Sequence, residues 1–547
     1  MTAWYARLRG AKVWPLLLLA AITALAFWFR WRYARDVPLF VDEYLHLRAG
    51  ERILARGVPL LPSGNFYSHG LLVSYLEAAV LALGGRAAWV MRLPVVGIST
   101  AAVPLVYWFG RRAFRSAGAG LVAAALLAVA PEAVLWGGRI RMYGTLQFFV
   151  LAATVLFYLW VGVRDADFTP PLPLPQGGGG DMRVLFVLAF WAALFSHAEA
   201  MLLLPVWGMW ALVQRGWRWV ARPANLAAFA IAGAAPLIEI WLRRLGPPVQ
   251  VRVAPGVLAP QVREYLGAGV DWAGVQKVIE PLLLAPSRLP VVLLALGALV
   301  YVAIAALARR ARRGAVHSAE QSIQVQRAMA YLLAIVIPVL ALLLFAVDPE
   351  WKSPRYGLML LPHLFLLAGA VAALIGQAVR RRLERASRAG GALDVVATTA
   401  AVVLAVAASW SGAVAATRET VPDYDAAFAT VAAHEEPGDV VITFLCPAAF
   451  WNLGRCDYLA IPEDFAGFAV QEGGRWVSGW DGVPLLDGGE ALRQVLSQAP
   501  GAWLVVDEGR LASRYPPDLI QAVTEEMEIV WWEGEVLVFS NVPLIVP

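Results

Sequence analysis

Two adjacent acids, Asp42 and Glu43, with a histidine four residues on at His46, stand just past a long apolar run in the stretch LFVDEYLHLRAG, Leu39 to Gly50. On a helix, residues four apart are neighbours, which puts His46 within side-chain reach of Asp42. The same acids read equally well as the first turn of a helix, DEYLHLRAGERILARG, closed by Gly57. Further along come Tyr67 and His69 in FYSHGLL, Arg139 and Arg141 in GGRIRMYG, His197 and Glu199 in FSHAEAM, and Lys352, Arg355 and Tyr356 in DPEWKSPRYG. Each has an ordinary alternative when taken singly: His197 as a satisfied core histidine, Arg139 or Lys352 as a cation snorkelling from a span end. Together they suit one chemistry. A carboxylate can deprotonate or orient a hydroxyl, while arginine and lysine bind and stabilise a phosphate leaving group.

The elements that must position these residues are set by composition. The chain has 547 residues, 60% of them hydrophobic, and its apolar runs repeat at about 18 to 22 residues, long enough to cross a bilayer core. This is the pattern of a polytopic membrane protein. Arg7, Arg9 and Lys12 precede VWPLLLLAAITALAFWF, which mimics a signal peptide, but the run is long and no small-residue cleavage site follows, so it reads as an uncleaved first span. Residues 420–547 hold 20 acidic residues against 5 arginines and no lysine, so the first 419 residues carry the basic excess. Most arginines there stand in short clusters between apolar runs, which argues for membrane topology and against nucleic-acid binding.

The positive-inside rule places on the cytoplasmic side the N-terminus and the clusters at 111–115, 214–222, 309–313 and 380–388. The spans between them alternate correctly with about eleven crossings, near 13–32, 92–110, 118–137, 143–163, 184–200, 201–214, 224–242, 288–308, 328–347, 357–379 and 395–416. An odd number sends the acidic tail outside. Leu71 to Gly85 is apolar but short and carries Glu77; it reads as a juxtamembrane or re-entrant helix, since a crossing there would invert every later cluster. Arg30, Arg32, Arg35, Arg243 and Arg244 fall outside and count against the scheme. Residues 33–91 then form one long outer loop, and such loops are usually functional. The stretch PLPLPQGGGGD, 171–181, reads as a flexible cytoplasmic loop.

The tail, 420–547, reads as a small α/β domain: helices over DAAFATVAAHEE and GEALRQVLSQA, strands over GDVVITFL and AWLVVDEG, and a hairpin over EIVWWEGEVLVFS. The alternation favours a Rossmann-like sheet without a dinucleotide glycine fingerprint. Asp507 and Glu508 after a strand are either ligand-binding or solvated loop acids. The two cysteines, Cys446 and Cys456, both fall in this outer domain, where a bridge between them is permitted.

The chain resembles the GT-C class of membrane glycosyltransferases, most of all the branch of protein O-mannosyltransferases and aminoarabinose transferases. The resemblance rests on the acidic pair in VDEYLHL, SHGLL in place of an HPPL-like element, Arg92-Leu93-Pro94 opening the next span, RIRMYG after the third, and Arg355-Tyr356 before a late one. Tyr143 stands where that branch has an acid. The resemblance implies a polyprenyl-phosphate-sugar donor, inversion at the anomeric carbon and Asp42 as catalytic base, with Glu43 positioning the acceptor or a cation. Arg355 and Lys352, with Tyr356, Arg139 and Arg141, would face the donor phosphate. His46, His69, His197 and Glu199 would serve an acceptor or cation site. A divalent cation stays open, since no tight ligand spacing supports one. The acceptor is a lipid, a glycan or a protein. The expected setting is the inner membrane, with the N-terminus cytoplasmic and residues 1–419 the catalytic domain. Two other classes stay open: a polyprenyl-lipid flippase or transporter with outer charges as gates, and a non-catalytic protein presenting its tail.

Overall fold

The structure, a computed structural model, describes residues 13–162, 180–244, 272–285, 288–311, 320–345, 353–384, 390–461, 469–472 and 475–542. Arg7, Arg9, Lys12, Lys352, residues 171–179 of the expected flexible loop and parts of the last two arginine clusters lie outside these residues. The chain begins with α1 (Trp14–Asp36), α2 (Val41–Arg56), α3 (Leu71–Ala82), α4 (Ala88–Ala113), α5 (Ala117–Ala128), α6 (Pro131–Gly137) and α7 (Met142–Gly162). Apolar helices follow at Pro223–Leu242, Leu289–Ala308, Ile323–Phe345, Pro354–Arg382 and Val395–Ala416. With α1, α4 and α7 these make eight described helices long and apolar enough to cross a membrane, nine if the bent pair α5–α6 is one span. The two remaining expected crossings are the shorter helices Gly180–Ser196 and Leu203–Arg215, parted by a 3-10 turn at Ala198–Leu202. At 1.5 Å per residue the second reaches only about 20 Å, short of a hydrocarbon core of about 30 Å.

The span expected at 118–137 is broken, α5 and α6 meeting at 61°. Pro131 starts α6, and it has no N–H to continue the ladder of α5. Freed carbonyls are costly in an apolar interior. Arg30 of α1, fully buried, supplies the donors, to Leu127 and Ala128 at 3.2 Å each. Arg30 therefore caps a helix end and carries no topological information. Small residues in AGAGLVAAALLA let α5 pack close: a Cβ on Gly120 would run into the Tyr107 carbonyl of α4, and one on Gly369 into that of Ala119. Close backbone approach of this kind replaces the hydrophobic effect as the glue between membrane helices.

The 12-residue α3 is too short to span and lies against α2, so close that a Cβ added at Gly50 would sit 3.2 Å from that of Glu77. Glu77 is fully buried with both carboxyl oxygens unpaired, and burial pushes its pKa well above the usual carboxylate range.

The tail forms a six-stranded sheet in the order β5-β2-β1-β6-β8-β7. It comprises β1 (Val440–Thr443), β2 (Tyr458–Ala460), β5 (Leu485–Leu486), β6 (Ala502–Asp507), β7 (Glu528–Glu533) and β8 (Val536–Ser540), with β3 (Ala469–Glu472) and β4 (Arg475–Ser478) as a separate hairpin. The first four of the order are parallel and β8 and β7 add on antiparallel. Cys446 and Cys456 are joined in a disulfide, Cα atoms 5.4 Å apart. Asp507 is a helix cap: it accepts from the Arg510 N–H and from the Tyr424 hydroxyl, at 3.0 and 2.7 Å, which removes it as a ligand candidate. The tail rests on α2, through Tyr44 to Asp425 at 2.7 Å and Arg48 to Asp481 at 3.1 Å. The tail and the first loop therefore share one face of the molecule.

Candidate active site

The chain enters α2 through Phe40, whose extended backbone precedes the first turn. Glu43 reaches back to the Phe40 N–H at 2.7 Å, the return half of a capping box. Successive helical residues are rotated by about 100°, and the two adjacent acids consequently face different ways. Asp42 keeps a third of its side chain exposed and pairs with Arg141 at 3.0 Å. Glu43 is fully buried. Its Oε1 accepts from Arg92 Nε at 2.9 Å and the Ile140 N–H at 2.7 Å; its Oε2 accepts from Arg92 Nη2 at 2.6 Å and Phe40. Four donors fill a carboxylate's four acceptor directions, and the Arg92 pair together with these backbone bonds holds the Glu43 pKa below the usual range against burial. Glu43 is thus locked in the wall of the site, with all four of its acceptor directions filled from within the protein.

Arg139 and Arg141 also part ways. Arg139 donates to the Tyr33 hydroxyl at 2.5 Å and pairs with Glu419, its guanidinium stacked 4.3 Å from the Phe40 ring. It is committed to the junction between the last span and the tail, with Tyr33 and Glu419 as its partners. Arg141 turns to Asp42, with its Nε buried and unpartnered.

The opposite wall comes from three distant segments. Tyr143 lies in the first turn of α7, Arg355 and Tyr356 lie in the 3-10 turn Pro354–Leu360, and His197 precedes and Glu199 lies in the 3-10 turn Ala198–Leu202 after Gly180–Ser196. The rings of Tyr143, His197 and Tyr356 contact one another at centroid distances of 5.7, 5.8 and 6.3 Å. The Arg355 guanidinium lies 5.8 Å from the Tyr143 ring, and its Nε is buried without a partner. His197 caps the turn, its Nδ1 accepting from the Glu199 N–H at 3.3 Å. Burial pushes the His197 pKa down to about 3 and the Glu199 carboxyl well above its ordinary range. The His197 Nδ1 and the Glu199 Oε2 lie 3.6 Å apart.

His46 is fully buried on the inner side of α2, its Nδ1 3.2 Å from the Ser74 hydroxyl and its Nε2 unpartnered. Burial, with Arg141 and His69 nearby, holds its pKa well below the usual histidine value. Tyr67 packs its ring on both His46 and His69, at 5.3 and 5.8 Å. Arg141 also acts on the Tyr67 hydroxyl, partly offsetting the burial that raises its pKa.

Asp42, Arg141, Tyr67, His46, His69, Tyr143, His197, Glu199, Arg355 and Tyr356 thus form one connected cluster; Glu43 and Arg139 do not join it. Among the described residues no three of His, Cys, Asp or Glu are grouped to hold a metal ion. Arg92, visible in the sequence only as the start of a span, proves to be the structural key: its five N–H groups go to Glu43, Ala34, Val37 and Pro38. Tyr67 and Tyr143 carry no charge and gave no signal beyond their place beside His69 and Arg141.

The apolar bundle, the long first loop behind the first span and the sheet domain seated over it define a membrane protein of the GT-C fold. No family model and no curated protein matches the chain by sequence. Among solved structures it is similar to ArnT from Cupriavidus metallidurans bound to undecaprenyl phosphate, with a TM-score of 0.63 at 15% identity over 97% of this chain and 98% of that one. It is also similar to the archaeal oligosaccharyltransferase AglB from Archaeoglobus fulgidus in complex with an inhibitory peptide and a dolichol-phosphate. There the TM-score is 0.53 at 11% identity, over 98% of this chain and 75% of that one.

Proposed function

We propose that this protein is an inverting glycosyltransferase that moves a sugar from a polyprenyl-phosphate donor to a hydroxyl-bearing acceptor on the extracytoplasmic face of the membrane. The observation that carries the reading is the pairing of Asp42 with Arg141 opposite Arg355, both arginines holding an unpartnered buried nitrogen. Asp42 is the part-exposed acid of its pair and accepts the proton of the acceptor hydroxyl. The acceptor oxygen attacks the anomeric carbon from the face opposite the phosphate, the bond from that carbon to the phosphate oxygen breaks, and configuration inverts. The leaving phosphate keeps the electron pair and passes from one negative charge to two. Arg355 and Arg141, with Tyr356 and Lys352 close to Arg355 in sequence, bind that added charge more tightly than the ground state, which is where rate is gained. The likeness to structures holding undecaprenyl phosphate and dolichol-phosphate supports the donor class, and the apolar helix faces suit its chain. The acceptor is a lipid, a glycan or a protein. The test is transfer of radiolabelled sugar from a panel of polyprenyl-phosphate sugars, wild type against Asp42→Asn. Loss of transfer in the folded variant, by roughly 100-fold or more, supports the assignment. Surviving transfer removes Asp42 as base, and no transfer from any donor by folded wild type with acceptors supplied overturns the reading.

A further inference from the structure

The tail approaches the site through one turn, residues 479–481, just after β4. Its backbone is pinned from within, the Ser478 hydroxyl accepting from the N–H groups of Trp480 and Asp481 at 3.2 Å each. Gly482 closes it with φ +71°, a conformation glycine adopts without steric cost. The turn is pinned from without as well. The Gly479 carbonyl accepts from the Ser63 hydroxyl and the Asn65 amide of the first loop, both at 2.5 Å.

On one side of the turn Asp481, its side chain fully buried, accepts from Arg48 Nε at 3.1 Å. Arg48 is stacked 4.1 Å from the tail's Phe450 ring. One helical turn earlier, Tyr44 donates to Asp425 at 2.7 Å, and Asp425 accepts from Asn452 as well. Tyr44 and Arg48 lie on one stripe of α2, and α2 carries Asp42 at its start. On the other side Trp480 packs edge-on against Tyr67 at 5.8 Å. Tyr67 in turn backs Arg141, the partner of Asp42. The turn touches both the helix that carries the reacting carboxylate and the tyrosine behind its arginine.

We propose that Trp480 and Asp481 are positioning residues for the Asp42–Arg141 pair, making the tail a working part of the catalytic face; this rests on the function proposed above. Neither touches the reacting atoms. They act by fixing the α2 register and the Tyr67 ring, and small displacements of a reacting group are costly in rate.

The experiment uses the full-length protein in lipid nanodiscs, with Trp480→Ala, Trp480→Phe and Asp481→Asn. In the sugar-transfer assay Trp480→Ala is expected to lower kcat by roughly 10–100-fold with the donor KM and the melting temperature unchanged, and Trp480→Phe to restore most of it. Hydrogen exchange, which needs no activity, is expected to show faster exchange over residues 59–69 and the first turns of α2 in Trp480→Ala. Wild-type kcat in Trp480→Ala and Asp481→Asn, or unchanged exchange over both segments, overturns the inference. A wild type inactive with every donor removes the function reading, and exchange then decides the mechanical link alone.

Discussion

Arg92 grips both oxygens of Glu43, Nε to Oε1 at 2.9 Å and Nη2 to Oε2 at 2.6 Å, with both side chains fully buried. The pair ties α2 to α4, and the remaining Arg92 donors tie in the chain leaving α1 at Ala34, Val37 and Pro38. Removing one partner leaves an uncompensated buried charge, which typically costs about 3–5 kcal/mol. Arg92→Ala is expected to lower the melting temperature and yield of folded protein, and Arg92→Lys to fail as a rescue because lysine cannot reproduce the planar fork. A stable Arg92→Ala variant that loses only donor affinity would reverse the assignment of this arginine to structure.

Arg355 and Arg139 should separate in kinetics. Arg355→Ala removes a charged donor at the proposed phosphate position: kcat should fall because the second phosphate charge is no longer stabilised, and donor KM should rise by roughly 10–100-fold because the donor's first charge also loses its partner. Arg139→Ala should leave donor KM unchanged and lower thermal stability, because its partners are Tyr33 and Glu419. Equal effects of the two on donor KM would contradict the geometry.

Two buried groups pull stability in opposite directions with pH. Glu77 has a folded pKa above its unfolded value, so its neutral form is fully accommodated at low pH and stability declines as pH rises past the unfolded carboxylate range, by about 1.4 kcal/mol per pH unit up to the folded pKa. The stabilisation of Glu77→Gln relative to wild type should therefore grow as pH rises above the unfolded carboxylate range. His197 is depressed to about 3, so the unfolded state binds more protons below about 6.5 and stability falls there as pH drops. His197→Asn should flatten that acid limb. Melting curves in detergent across this range check both signs; a pH-independent difference for Glu77→Gln would show that Glu77 is ionised in the fold.

The disulfide closes a short loop, Cys446 and Cys456 being 10 residues apart. Loop-closure entropy for that length gives about 2–3 kcal/mol. Substituting both cysteines by serine should lower the unfolding temperature of the tail and, through Phe450 on Arg48, loosen the middle of α2. Unchanged melting of the double variant would show that packing of the Cys446–Leu453 helix alone holds this corner.

The class of the molecule follows from local properties of the chain. Apolar runs of bilayer length, an acidic tail behind a basic membrane part and strand patterns over VVIT, AWLVVD and the hairpin are all local, and the structure carries each in place. The acidic pair at 42 and 43 also pointed to the loop that carries the candidate site. Which acid faces the site is another matter, because that depends on the roughly 100° step between helical neighbours and on what each then meets. Glu43 meets Arg92, 49 positions away, and the Ile140 N–H, 97 positions away. Likewise only the folded chain sends Arg139 to the tail junction and Arg141 to Asp42, and shows that Arg30 caps a broken helix rather than marking a side of the membrane. Such partners lie tens to hundreds of residues apart, where no local pattern constrains them; packing and the need to satisfy buried polar groups do.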